Sequence, residues 1–113
     1  MCGSVKPRRE FIYVEDVANA SIFAMENADR LENRHYNIGT GVDYSIKELA
    51  KIIADLIGYK GEITWDTTRP DGAPQKLLDS SDFQMLGLKP SVPLETGLRL
   101  TYEGYLKSQR IQK

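Results

Sequence analysis

The chain is short of nearly everything that marks a self-sufficient catalyst. Its single cysteine, Cys2, leaves no internal disulfide framework and fits a reducing compartment. Its single histidine, His35, has no acidic or nucleophilic neighbour spaced to orient it, so it reads as a polar residue at a strand start and argues against a His-based metal site. No apolar run approaches the ~20 residues of a membrane span. Met1 is followed by polar and basic residues rather than an apolar leader, so no signal peptide is expected and the cytoplasm is the expected location. A net charge of -1 gives no global field to attract nucleic acid, and no repeat or low-complexity segment is present.

The 113 residues, 41% apolar and 27% charged, suit a single domain spanning residues 1–113 with one core. Phe11-Ile12-Tyr13-Val14 reads as a strand, with Asp16 as N-cap of a helix over 17–26 whose apolar stripe is broad. His35 to Ile38 reads as a second extended segment, broken by Gly39-Thr40-Gly41. Ser45 with Glu48 forms a capping box for a helix that Gly58 stops, and Glu62 to Asp66 alternates like a strand. Ser80-Ser81-Asp82 caps a short helix ended by Gly87, and a last helix runs from Leu94 to about Leu106, followed by a basic, solvated tail. The fold class is therefore α/β, a small α+β-like domain with few short strands and about four helices. So small a sheet needs a helix layer or a partner for stability.

Local clusters carry the electrostatics. The loop from Arg69 to Asp79 is stiffened by Pro70 and Pro74 and turned by Asp71-Gly72, so it presents Arg69 and Lys76 from a rigid frame suited to an anion. Lys6, Arg8 and Arg9 form a second basic group, and in an extended segment Arg8 and Arg9 point to opposite faces, so only one of them reaches a given site. Gly39-Thr40-Gly41 lacks the third glycine and the downstream acid of a dinucleotide fingerprint and reads as a structural turn. Trp65, Tyr13 and Tyr59 read as packing aromatics.

The strings PRREFIYVEDV (residues 7–17), NIGTG (37–41), SIKELA (45–50), GYKG (58–61) and RPDGAPQKLLD (69–79), with 97–105, closely resemble the C-terminal part of the GDP-L-fucose synthase family. Those enzymes are extended short-chain dehydrogenase/reductases that epimerise and then reduce a GDP-keto-sugar with NADPH. The resemblance implies that Arg9 and Lys76 contact the GDP portion of a nucleotide sugar, with Asp71 in the same loop a further contact. Cys2 stands where the family usually has a tryptophan of the same pocket, Val5 replaces a usual glycine and Gln75 a frequent arginine. The family's glycine-rich NADP loop and its Ser-Tyr-Lys, cysteine and histidine catalytic residues precede the matched region. The resemblance thus implies a substrate-binding domain with the Rossmann half missing, no catalytic residues, no cofactor bound by this chain, weak GDP-sugar binding and no activity in isolation. An apolar face left uncovered implies a homodimer or association with the missing Rossmann half, and the alternative role is a stand-alone interaction module.

Overall fold

Short ladders and longer helices alternate along residues 6–111, the part of the chain that the computed structural model describes. They are β1 (Arg8–Glu10), α1 (Val14–Glu26), β2 (Asp43–Ser45), α2 (Ile46–Ile57), β3 (Gln75–Lys76), α3 (Ser81–Gln84) and α4 (Leu94–Ile111), with a single 3-10 turn at Ala28–Arg30. The described residues therefore form four helices and a small three-stranded mixed sheet. β1 is the middle strand, antiparallel to β2 and parallel to β3. No described helix is long and apolar enough to cross a membrane.

The capping box sets α2. The Ser45 hydroxyl accepts from the Glu48 amide at 3.1 Å, and the Glu48 carboxylate accepts from the Ser45 amide at 3.0 Å. Two of the first turn's orphan donors are satisfied at once. Gly58, at φ 74°, ends the helix in the left-handed conformation that glycine adopts at least cost.

The expected strand at Phe11-Ile12-Tyr13-Val14 is displaced: the ladder stops at Glu10, and Tyr13 is already the N-cap of α1. The chain leaves the sheet there, and the Glu10 carboxylate accepts from the Gly41 amide at 2.7 Å. Asp16 is accordingly not an N-cap. It sits inside the first turn, buried, and its carboxylate accepts from the Ser91 amide and hydroxyl and from the Val92 amide at 3.1–3.3 Å. That clamp fixes the connector that launches α4. Gly97 in α4 then passes Tyr13 so closely that an added Cβ would lie 3.3 Å from the ring.

Residues 35–38 and 62–66 were expected as strands and lie outside the three-stranded sheet, with an isolated bridge at Asp66. Their alternation is real as burial: Tyr36, Ile38, Ile63 and Trp65 are half-buried, while His35, Asn37, Glu62 and Thr64 are exposed. The helix α4 continues past the expected Leu106 to Ile111, since no glycine or proline interrupts Leu106 to Gln109.

Apolar burial is concentrated at one point. Phe83, 3% exposed, meets the rings of Phe23 and Tyr36 edge-on at centroid distances of 5.6 and 6.1 Å, and Ala20 packs fully beside them. Buried Ser80 joins this cluster to the Gly39 carbonyl at 3.2 Å, and Gln84 bonds the Ser80 hydroxyl at 2.9 Å. Away from the cluster the molecule is thin, with extents of 52 × 39 × 21 Å.

Candidate functional site

The sheet sorts the two arginines onto opposite faces, as their adjacency requires. On one face the Arg8 guanidinium bonds Asp43 Oδ1 at 3.0 Å and the Asp43 carbonyl at 3.2 Å, with the Glu48 carboxylate 3.8 Å away. The Gln75 amide donates to the other Asp43 oxygen. One carboxylate on β2 therefore ties β1 and β3 together across the sheet. Arg8 is spent on structure.

The Gln75 amide first, and then the Arg8 guanidinium, hold the Asp43 carboxyl below its ordinary value of 3.8. A depressed folded value means that the unfolded chain binds its proton first as acid is added. The stabilisation from Asp43 is complete above the unfolded value and disappears as the pH falls through the folded one. Wild type is therefore expected to melt above the Asp43→Asn variant at about pH 6, with the two midpoints converging as the pH drops below 3.8. Thermal melts followed by circular dichroism across that range check it.

On the opposite face Arg9 stands in register with Tyr44 on β2 and Lys76 on β3. Paired residues on neighbouring strands share a face about 4.8 Å apart, so both cations issue side by side from one small surface. Arg9 also braces the loop: its Nη1 donates to the Arg8 carbonyl at 2.7 Å and to the Ala73 carbonyl at 2.8 Å. A Cβ on Gly72 would approach Nη2 to 3.2 Å, so glycine there keeps the loop against the guanidinium. The Lys76 ammonium has no hydrogen-bond or ion-pair partner among the described residues.

The remaining sequence candidates fall elsewhere. Arg69 is ion-paired with Asp66 at 3.3 Å and remains exposed, so it is not drawn toward Lys76. Asp71 is exposed within the loop. Cys2 and Val5 lie outside the described residues. His35 is exposed. The Gly39-Thr40-Gly41 turn is filled by the Glu10 carboxylate, close enough that a Cβ on Gly39 would collide with it. The turn thus serves to receive a side chain of β1, a structural role.

A family model described as the NAD dependent epimerase/dehydratase family matches residues 1–39. A putative GDP-L-fucose synthase 2 of Arabidopsis thaliana is 47% identical over 106 residues, which are 94% of this chain and 32% of that protein. The chain is homologous to GDP-L-fucose synthases. It spans about a third of the length of the curated relatives it matches. The homology extends to solved structures: a GDP-6-OMe-4-keto-L-xylo-heptose reductase of Campylobacter jejuni, 39% identical, superposes with a TM-score of 0.86 over 96% of this chain and 33% of that one. A GDP-mannoheptose C4 reductase of the same organism, solved with NADP bound, is 38% identical with a TM-score of 0.79, over 93% of this chain and 33% of that one. The homologous span thus carries the small sheet and its four helices as a recognisable part of the extended reductase/epimerase fold.

Sequence reasoning missed β3, and with it the reason Arg9 and Lys76 are neighbours. A two-residue strand inside a proline-glycine loop has no periodicity to read. The spacing of polar residues around Gln75 carried no sign of its reach to Asp43.

Proposed function

We propose that this chain is the nucleotide-sugar-binding part of a GDP-L-fucose synthase-like protein and holds the diphosphate of a GDP-sugar between Arg9 and Lys76. The observation that carries the reading is the parallel register Arg9↔Lys76, which brings one fork-shaped and one point-like cation onto the same face. The relatives' names, a GDP-fucose synthase and two GDP-sugar reductases, agree with a guanine nucleotide sugar as the ligand class. Asp71, and Cys2 beyond the described residues, complete the proposed set of contacts.

Lys76 is the discriminating residue, because its charge is uncommitted while Arg9 also supports the loop. The ligand lies on an open sheet face, so binding is expected to be weak, in the high micromolar to millimolar range. NADP accompanies a relative, and this chain is proposed to bind none by itself and to be inactive alone.

Isothermal titration with GDP and GDP-mannose tests the reading. Measurable heat at millimolar ligand, weakened tenfold or more in Lys76→Ala, is the expected result, since a charge-assisted contact contributes roughly 1.5–3 kcal/mol. Absence of heat, or a Lys76→Ala variant that binds like wild type, rejects it.

A further inference from the structure

Burial contributes little to where Lys76 sits. Every residue from 66 to 79 is exposed, so the loop that carries β3 is held to the sheet by polar bonds. β3 itself is two residues long. Besides its ladder with β1, the chain just before it is tied by the Pro74 carbonyl, which accepts from the Arg8 amide at 2.9 Å, and by the Ala73 carbonyl, which accepts from Arg9. Both ties hold backbone. They leave the roll of so short a strand to its side chains.

The pleat turns Gln75 and Lys76 to opposite faces, so whatever fixes one fixes the other. Gln75 is fixed: its amide crosses the central strand and donates to Asp43 on β2. The other Asp43 oxygen accepts from Arg8 Nε at 3.0 Å, and the carboxylate is only 12% exposed. The outer strands β2 and β3 are thus joined across β1 on the face away from Arg9 and Lys76.

A specific alternative has to be kept out. A slip of one residue turns every side chain of a strand to the other face. In β3 that slip would take Lys76 away from Arg9 and offer its ammonium to the Asp43 carboxylate. Arg8 already neutralises that carboxylate and Gln75 takes its second oxygen, so the slipped register has little to gain.

We infer, on the GDP-sugar reading of the Arg9–Lys76 face, that Gln75 and Asp43 are positioning residues for it: their bond on the reverse of the sheet holds β3 in the register that sets Lys76 beside Arg9. Neither side chain shares the face proposed for the ligand. Both act on affinity through Lys76, because a site whose competent form is only partly populated loses affinity by that fraction.

Gln75→Met keeps the length of the side chain, removes the bond and leaves the Arg8–Asp43 pair in place. Its affinity for GDP, from titrations followed by NMR at neutral pH, is expected to fall about three- to tenfold with a melting midpoint within a few degrees of wild type. Asp43→Asn is the conservative rescue. Two amides can bond each other in either orientation, so its affinity should stay within about twofold of wild type while its midpoint falls with the lost ion pair. A role in stability alone predicts the reverse, with affinity following the midpoint. In a Lys76→Ala background Gln75→Met should cost no further affinity, since the two changes remove one effect. Hydrogen exchange at the Arg8 amide reads the seating of β3 without ligand, and its protection should drop in Gln75→Met and persist in Asp43→Asn. A Gln75→Met variant that binds GDP like wild type, or loses as much affinity without Lys76 as with it, overturns the inference. Unchanged Arg8 exchange in Gln75→Met also overturns it and leaves the GDP reading standing. A wild type that takes up no GDP rejects that reading and the positioning role together, even where the Arg8 exchange shows that the bond seats β3.

Discussion

Replacing Phe83 by alanine is expected to abolish the cooperative melt of this chain. Phe83 is where α3, α1 and the 35–38 segment meet, and its ring contacts Phe23 and Tyr36 edge-on. Truncating a buried phenylalanine costs about 3–5 kcal/mol, the sum of lost transfer energy and the void left behind. Small domains have roughly 5–15 kcal/mol in total, and a thin molecule whose fully buried apolar residues are Ala20 and Phe83 among those described belongs at the low end. The cavity cannot collapse cheaply, since Ser80 and Gln84 are tied to the Gly39 carbonyl and hold α3 in place. Met85, two residues on and 83% exposed, provides the control: Met85→Ala should shift stability by less than about 0.5 kcal/mol. Circular dichroism melts of both variants decide it, and a Phe83→Ala midpoint within a few degrees of wild type would place the core elsewhere.

The helices were legible because their signals are local. The Ser45-Glu48 box, the Gly58 stop and the apolar repeat of α2 all lie within one short window, and α2 forms where they place it. Strands were less legible because a ladder is defined by partners distant in sequence. Residues 62–66 alternate in burial as their pattern requires, yet stay outside the sheet, so alternation reports which side faces inward and not what pairs alongside. The apolar run 11–14 has strand composition, but the ladder ends at Glu10 and α1 begins at Val14. Conversely, the charged tripeptide Arg8–Glu10 is the central strand, held by side-chain bonds from Arg8 to Asp43 and from Gln75 to Asp43.

The candidate site divides the same way. That Arg8 and Arg9 serve different faces follows from the pleat alone, and the structure adds which one is committed to an ion pair. The stiff 69–79 loop was readable as a frame from its prolines and glycine. Its docking beside β1 was not, because it depends on Pro74 accepting from the Arg8 amide at 2.9 Å and on Arg9 reaching Ala73. Arg69 looked equivalent to Lys76 in the sequence, and only Asp66, three residues earlier, removes it from contention.

Asp16→Ala is expected to cost about 2–4 kcal/mol, the second large loss in the molecule, because it leaves two backbone amides without an acceptor. The Asp16 carboxylate reaches some 75 residues along the chain to receive the Ser91 amide at 3.2 Å and the Val92 amide at 3.1 Å, with the Ser91 hydroxyl at 3.3 Å. It is 6% exposed, so water cannot readily take its place. These contacts hold the turn before Leu94, and that turn sets where α4 starts and how Gly97 meets Tyr13. A graded series separates a clamp from general damage. Ser91→Ala removes only the hydroxyl contact and should cost about 0.5–1 kcal/mol. Asp16→Asn keeps the shape but one good acceptor and should fall between Ser91→Ala and Asp16→Ala. Hydrogen exchange at the 91 and 92 amides supplies the local readout: protection there should fall in the same order, ahead of any change in α2. Equal losses across the three variants, or unaltered exchange at those two amides in Asp16→Ala, would show that the connector is held by its prolines and not by the carboxylate.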